Sequence, residues 1–165
     1  MNATPSRSAE HCLFVRDDRT FALSTELARE ITGARPTTPL PHAPRALLGA
    51  VNLHGEILGL VSLDRALGLE GRGNGGATIV LCRGDLKFAV EVDRITGIRS
   101  LFDEDIGALP EDPPIAQGLA RGRVNIDGTE VIVLDADALL HEILESMATG
   151  GDPSPRPQST GFSLE

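Results

Sequence analysis

His54, Ser62 and Asp64 are the residue types of a hydrolytic triad, met within one short stretch of the chain. A serine nucleophile of this kind is exposed by a strained G-x-S-x-G turn, and Ser62 instead follows Val61 in a run of β-formers. GRGNGG, at residues 71–76, satisfies the G-x-G-x-x-G spacing of a phosphate cradle. That cradle needs a helix beginning inside it, so that helix amides meet the pyrophosphate, and here strand-forming residues follow. A loop is expected. His141-Glu142 opens like a zinc-protease helix motif, but Glu145 stands where the second histidine ligand would be. His11, His42, His54 and His141 are otherwise scattered, with no metal-ligand spacing. The acidic run at residues 103–105 lacks the glycine and spacing of a calcium loop. No catalytic residue, cofactor site or metal site is expected, which leaves binding as the trade of this chain.

Composition narrows the partners. The formal net charge of -9 argues against nucleic acid and anionic membranes, which reward clustered Lys and Arg. With no Trp or Tyr, stacking platforms for single strands are also missing. A hydrophobic content of 41% with only five Phe implies an aliphatic core. The N-terminal residues have no apolar secretory core, and no run approaches the roughly 18 apolar residues of a membrane span. Cys12 and Cys82 each lie in an apolar strand-like run, as buried thiols in a reducing compartment would. A cytoplasmic protein with no direct membrane insertion is expected.

The elements follow from alternation and turn residues. CLFV from Cys12, a turn at Arg16-Asp17-Asp18-Arg19, and residues 20–23 read as a hairpin. Ser24 offers an N-cap, and Leu27, Ala28 and Ile31 share a helical face, so residues 25–31 are predicted as a short helix ended by Gly33. Four prolines within residues 36–44 make an extended connector. LLGAVNLHGEILGLVSL then holds two β runs hinged at His54-Gly55, with a brief helical turn over residues 64–69. Residues 78–82 and 86–92 form another hairpin around Arg83-Gly84-Asp85. Residues 102–114 read as an acidic, partly ordered connector. Leu139, Leu140, Ile143, Leu144 and Met147 make the apolar stripe of a C-terminal helix. Residues 1–11 and 148–165 are expected to be disordered, leaving one domain over residues 12–147.

The pattern is used twice. Phe21 over Phe88, a shift of 67 positions, also sets Arg16 over Arg83, Asp18 over Asp85 and Ala22 over Ala89. VNLHG at Val51 matches VNIDG at Val124, a shift of 73. Two matches in the same order imply an internal duplication: two small barrels built alike, each stabilised by packing on the other.

FALSTELAREI, the proline-rich connector, LLGAVNLHGEILGLVSL, FAVEVDRITGI and GLARGRVNIDGTEVIVLDADALL, in that order, resemble a CheW-like domain over roughly Cys12 to Met147. The resemblance implies a mainly all-β fold, two SH3-like five-stranded β-barrels packed together, with short helices including a C-terminal amphipathic one. It implies a non-catalytic adaptor or scaffold in chemotaxis signal transduction, joining the cytoplasmic tip of a chemoreceptor to the regulatory domain of a CheA-type histidine kinase in a two-component system. Receptor contact would fall on Ala28, Glu30, His54, Ile95 and Ile98, and kinase contact on Leu47, Leu48 and Gly49. In the family a Glu on the first short helix pairs with the Arg of an Asn-Leu-Arg-Gly turn. Glu30 matches the acid, while His54 replaces the Arg and cannot supply its bidentate fork. Gly59 and Ser62 also stand where the family often has Pro and Asp. These departures imply a divergent member, which could serve a motility or pilus pathway and bind the kinase without receptors. The alternative from another class is a small-molecule-binding or hydrolytic β-barrel.

Overall fold

The computed structural model describes residues 7–71 and 75–149. Ten strands form two five-stranded sheets, each curling into a small barrel. The elements run β1 (Ser8–Arg16), β2 (Arg19–Ser24), β3 (Ala28–Gly33), β4 (Leu47–Leu53), β5 (Glu56–Val61) and α1 (Leu63–Leu67). They continue with β6 (Ala77–Arg83), β7 (Leu86–Val92), β8 (Arg94–Phe102), β9 (Ala120–Ile126), β10 (Thr129–Leu134) and α2 (Ala136–Thr149). The first sheet has the order β8-β1-β2-β10-β9, the second β3-β6-β7-β5-β4. Position by position the two orders correspond, strand for strand.

The correspondence reaches irregular detail. Shifting β4, β5 and the start of α1 by 73 positions gives the first residues of β9, β10 and α2. The bulge between Leu47 and Gly49 against β5 recurs between Val133 and Leu134, where Ala120 and Gly122 face them. Ser62 Oγ caps α1 by accepting the Arg65 amide at 3.1 Å, and Asp135 Oδ1 accepts the Ala138 amide at 3.0 Å at the start of α2.

Each repeat is not, however, one barrel. After the β1–β2 hairpin the chain leaves the first sheet, and β3 pairs with β6 in the second. After the β6–β7 hairpin, β8 crosses back to pair with β1. The first barrel therefore takes β1 and β2 from the first repeat and β8, β9 and β10 from the second.

Three aliphatic clusters follow. Leu13, Ala22, Leu101, Val131 and Val133 fill the first barrel, and Val51, Leu53, Leu58, Leu60, Val80 and Ala89 the second. A larger core lies between the barrels, with Phe14, Phe21, Phe88, Leu139 and Ile143 among its members. Phe14 and Phe21 stack there with centroids 5.5 Å apart.

The helix expected over residues 25–31 is absent. Ser24 Oγ does accept the Glu26 amide at 3.1 Å, but only a turn follows, and β3 begins at Ala28. Leu27 and Ala28 are buried and Ile31 is exposed, so the supposed helical face does not exist. A bulge opposite β6 had disguised strand alternation as helical spacing, and cross-strand pairing overrides the weak helix propensity of so short a segment. β1 also starts at Ser8, ahead of the expected Cys12. The acidic connector makes a 3-10 turn at Asp103–Asp105 and then returns to the core through buried Ile115 and Leu119. The expected C-terminal tail, apart from its first two residues, lies outside the described residues.

Candidate docking surfaces

His54 sits at the tip of the β4–β5 hairpin with φ 54°, followed by Gly55 at φ 87°. Two left-handed residues in succession match the right-handed twist of the strands, and Asn52 Oδ1 holds the turn by accepting the Gly55 amide at 3.0 Å. The turn brings His54 Nε2 to 3.1 Å from Glu30 Oε2 on β3. Since β3 and β4 are the two edges of the second sheet, this contact ties one end of the barrel shut. The side chains are 69% and 39% exposed, so the pair contributes at most about 1 kcal/mol. It becomes an ion pair only when the imidazole is protonated. Nearby, Lys87 Nζ meets Glu56 Oε1 at 2.7 Å, and that hydrogen bond raises the lysine pKa. The other barrel has a looser counterpart, Arg99 with Asp127 at 3.5 Å.

The remaining residues divide by accessibility. Ala28 is buried in the central core and Ile95 packs against it; 67 positions apart, both flank equivalent bulges. Ile98, on β8, is 48% exposed. Leu47 packs against the central core, while Leu48 is 46% exposed. Gly49 is buried beneath the connector, which bridges to β4 through paired 2.8 Å hydrogen bonds between Thr38 and Ala50. A Cβ on Gly49 would stand 2.5 Å from Thr38 O and 2.7 Å from Thr37 Cγ2. The glycine leaves the room that lets the Thr38–Ala50 hydrogen bonds hold the connector against the strand. Glu30, His54, Ile98 and Leu48 are thus the implied contact residues that reach the surface.

Sequence reasoning missed an apolar groove of about 490 Å³ between the connector and the hairpin, lined by Pro36, Thr38, Leu40, Ala50, Asn52 and Ile57 among others. Ile57 is 66% exposed and Leu40 41%. The equivalent hollow in the first barrel is crossed by an Arg123–Glu130 pair at 2.7 Å. The 73-position shift already sets Ala50 against Arg123 and Ile57 against Glu130, a contrast that was readable in the sequence.

Beneath these surfaces lies a mostly buried charge network. Arg16 makes a bidentate pair with Asp64 at 2.8 and 2.7 Å, and its third nitrogen meets Asp93 at 3.0 Å. The Asp64 hydrogen bond, chiefly, raises the arginine pKa further. One network thereby joins β1, α1 and the β7–β8 crossover. Arg83 and Asp137 are the repeat equivalents, and their 2.8 Å pair is exposed.

The triad read at His54, Ser62 and Asp64 is dispersed: Ser62 caps α1, Asp64 binds Arg16 and His54 binds Glu30. Burial pushes the Cys12 thiol up to about 11, which suits a packing role. Among the described residues no group of three or more His, Cys, Asp or Glu could hold a metal ion, and no helix is long and apolar enough to cross a membrane.

Comparison with known proteins agrees with this architecture. The family model for the CheW-like domain matches residues 10–144. A chemotaxis protein CheW of Rhizobium meliloti (strain 1021) is 29% identical over 126 residues, covering 74% of this chain and 81% of its own length. Chemotaxis protein CheW of Thermotoga maritima is 24% identical over 131 residues, covering 79% and 86%. Among solved structures, the scaffolding protein TtCheW from Thermoanaerobacter tengcongensis superposes with a TM-score of 0.67 at 18% identity, over 82% of this chain and 89% of that one. The chain belongs to the CheW-like domain family, whose members are adaptors and scaffolds rather than enzymes.

Proposed function

We propose that this chain is a cytoplasmic adaptor that couples chemoreceptor tips to the regulatory domain of a CheA-type histidine kinase. Receptor contact is assigned to Glu30, His54 and Ile98 at the surface, supported by buried Ala28 and by half-buried Ile95. Kinase contact is assigned to Leu48, with Leu47 and Gly49 shaping the strand edge beneath it. The observation that carries this reading is the Glu30–His54 contact, which puts the implied acid beside the residue that replaces the implied arginine. Exposed Leu48 and Ile98 add apolar anchors of the kind that dominate protein interfaces.

Copurification with the kinase regulatory domain tests the first half; no complex at tens of micromolar overturns it. His54→Arg tests the second. Guanidinium can grip Glu30 bidentately and stays charged, so receptor-tip binding measured by calorimetry is expected to tighten. Unchanged affinity removes His54 from the interface. A kinase-only adaptor is the second reading, favoured by the same histidine; it expects kinase binding without receptor binding in the native chain, and receptor binding gained in His54→Arg.

A further inference from the structure

We propose that the two half-chains, residues 8–67 and 77–149, recognise each other without their covalent link, so that a half from a second copy of this chain can take the same place. This goes beyond the adaptor reading and does not depend on it.

The exchanged strands carry the argument. Neither half contains a barrel. Within the first half, β1 pairs β2 and β4 pairs β5, but β3 finds its partner only in β6. Within the second half, β6 pairs β7 and β9 pairs β10, but β8 finds its partner only in β1. Two-stranded hairpins alone are marginal in water. The remaining seams also join the halves: β2 runs parallel to β10 and β5 parallel to β7. All four seams that complete the sheets therefore lie between half-chains.

The side chains follow the same division. Phe14 and Phe21 of the first half meet Phe88, Leu139 and Ile143 of the second in one buried core. Arg16 of the first half bonds Asp93 of the second at 3.0 Å. This is the anatomy of an obligate dimer of like subunits, with self-complementary faces related by a pseudo-two-fold. The chain passes between the halves once, through residues 68–76. Cutting between Gly71 and Gly76 leaves all four strand seams in place and lowers the effective concentration of one half for the other.

The test inserts a protease recognition sequence between Gly71 and Gly76 of the full chain and cleaves the folded protein. The halves are expected to elute together at the mass of the intact chain. Their thermal midpoint should fall on tenfold dilution, whereas that of the uncut protein should not. Unfolding ¹⁵N-labelled and unlabelled cleaved protein together, then refolding, should give mixed-label pairs by native mass spectrometry. Should the insertion itself prevent folding, coexpression of the halves from two genes replaces it. Halves that part at tens of micromolar, a half that keeps its native circular dichroism alone, or the absence of mixed pairs overturns the proposal.

Discussion

Two Arg–Asp pairs occupy equivalent places in this molecule and should behave differently. Arg16 and Asp64 are largely shielded, with side chains 9% and 17% exposed, whereas Asp137 is 82% exposed beside Arg83. Asp64→Ala takes the bidentate carboxylate away from a shielded guanidinium, and a loss of about 3 kcal/mol is expected in urea unfolding. Asp137→Ala, in high dielectric, should cost less than about 1 kcal/mol. His11 gives a second prediction. It is buried on β1, its Nδ1 is 2.8 Å from Ala9 O, and Arg121 and Asp103 are the charges that act on it. Burial lowers its pKa below the ordinary 6.5, so the unfolded chain takes up the proton first as pH falls. Stability should therefore decline below about pH 6.5 until the lowered folded value is passed, by at most about 1.4 kcal/mol per pH unit. His11→Gln should flatten that part of the curve in urea midpoints taken from pH 7.5 to 5.

The elements add a constraint that no single side chain expresses. Each barrel presents an edge strand, β4 or β9, and each edge is covered at one point by a connector: Thr38 against Ala50, and Gly107 against Arg123. A glycine lies under both. Gly49 faces Thr37 and Thr38, and Gly122 faces Gly107 and Ile106, each with no room for a Cβ. Covering an edge this way limits unwanted strand pairing. Gly49→Ala should lift the proline-rich connector, cost roughly 1–3 kcal/mol, and speed amide exchange at Thr38 and Ala50. If exchange there is unchanged, the connector is held by other contacts. The strands themselves were visible in alternation and turn chemistry, including the residues of both VN-x-x-G turns. β3 and β8 were not: bulges shift the positions of both, and their hydrogen-bond partners β6 and β1 lie far along the chain.

At the scale of the whole molecule, the shared core and exchanged strands make the barrels interdependent. One cooperative unfolding transition is expected, with calorimetric and van't Hoff enthalpies equal; two resolved transitions would show barrels that fold apart. Aliphatic composition, alternation, turn residues and the 67- and 73-position matches were enough to specify two like barrels and a capping helix, because those signals are local and periodic. The contact of Glu30 with His54 was anticipated only through resemblance. Which strands complete which barrel was decided in tertiary structure alone. Both repeats carry nearly the same pattern, so either hairpin could accept either crossover strand by local rules. Joint burial of Phe14, Phe21, Phe88 and α2, together with the tie from Arg16 to Asp93, goes with the exchanged arrangement. The same packing separated exposed Leu48 and Ile98 from buried Ala28 and half-buried Ile95, a distinction that apolar letters in a sequence do not carry.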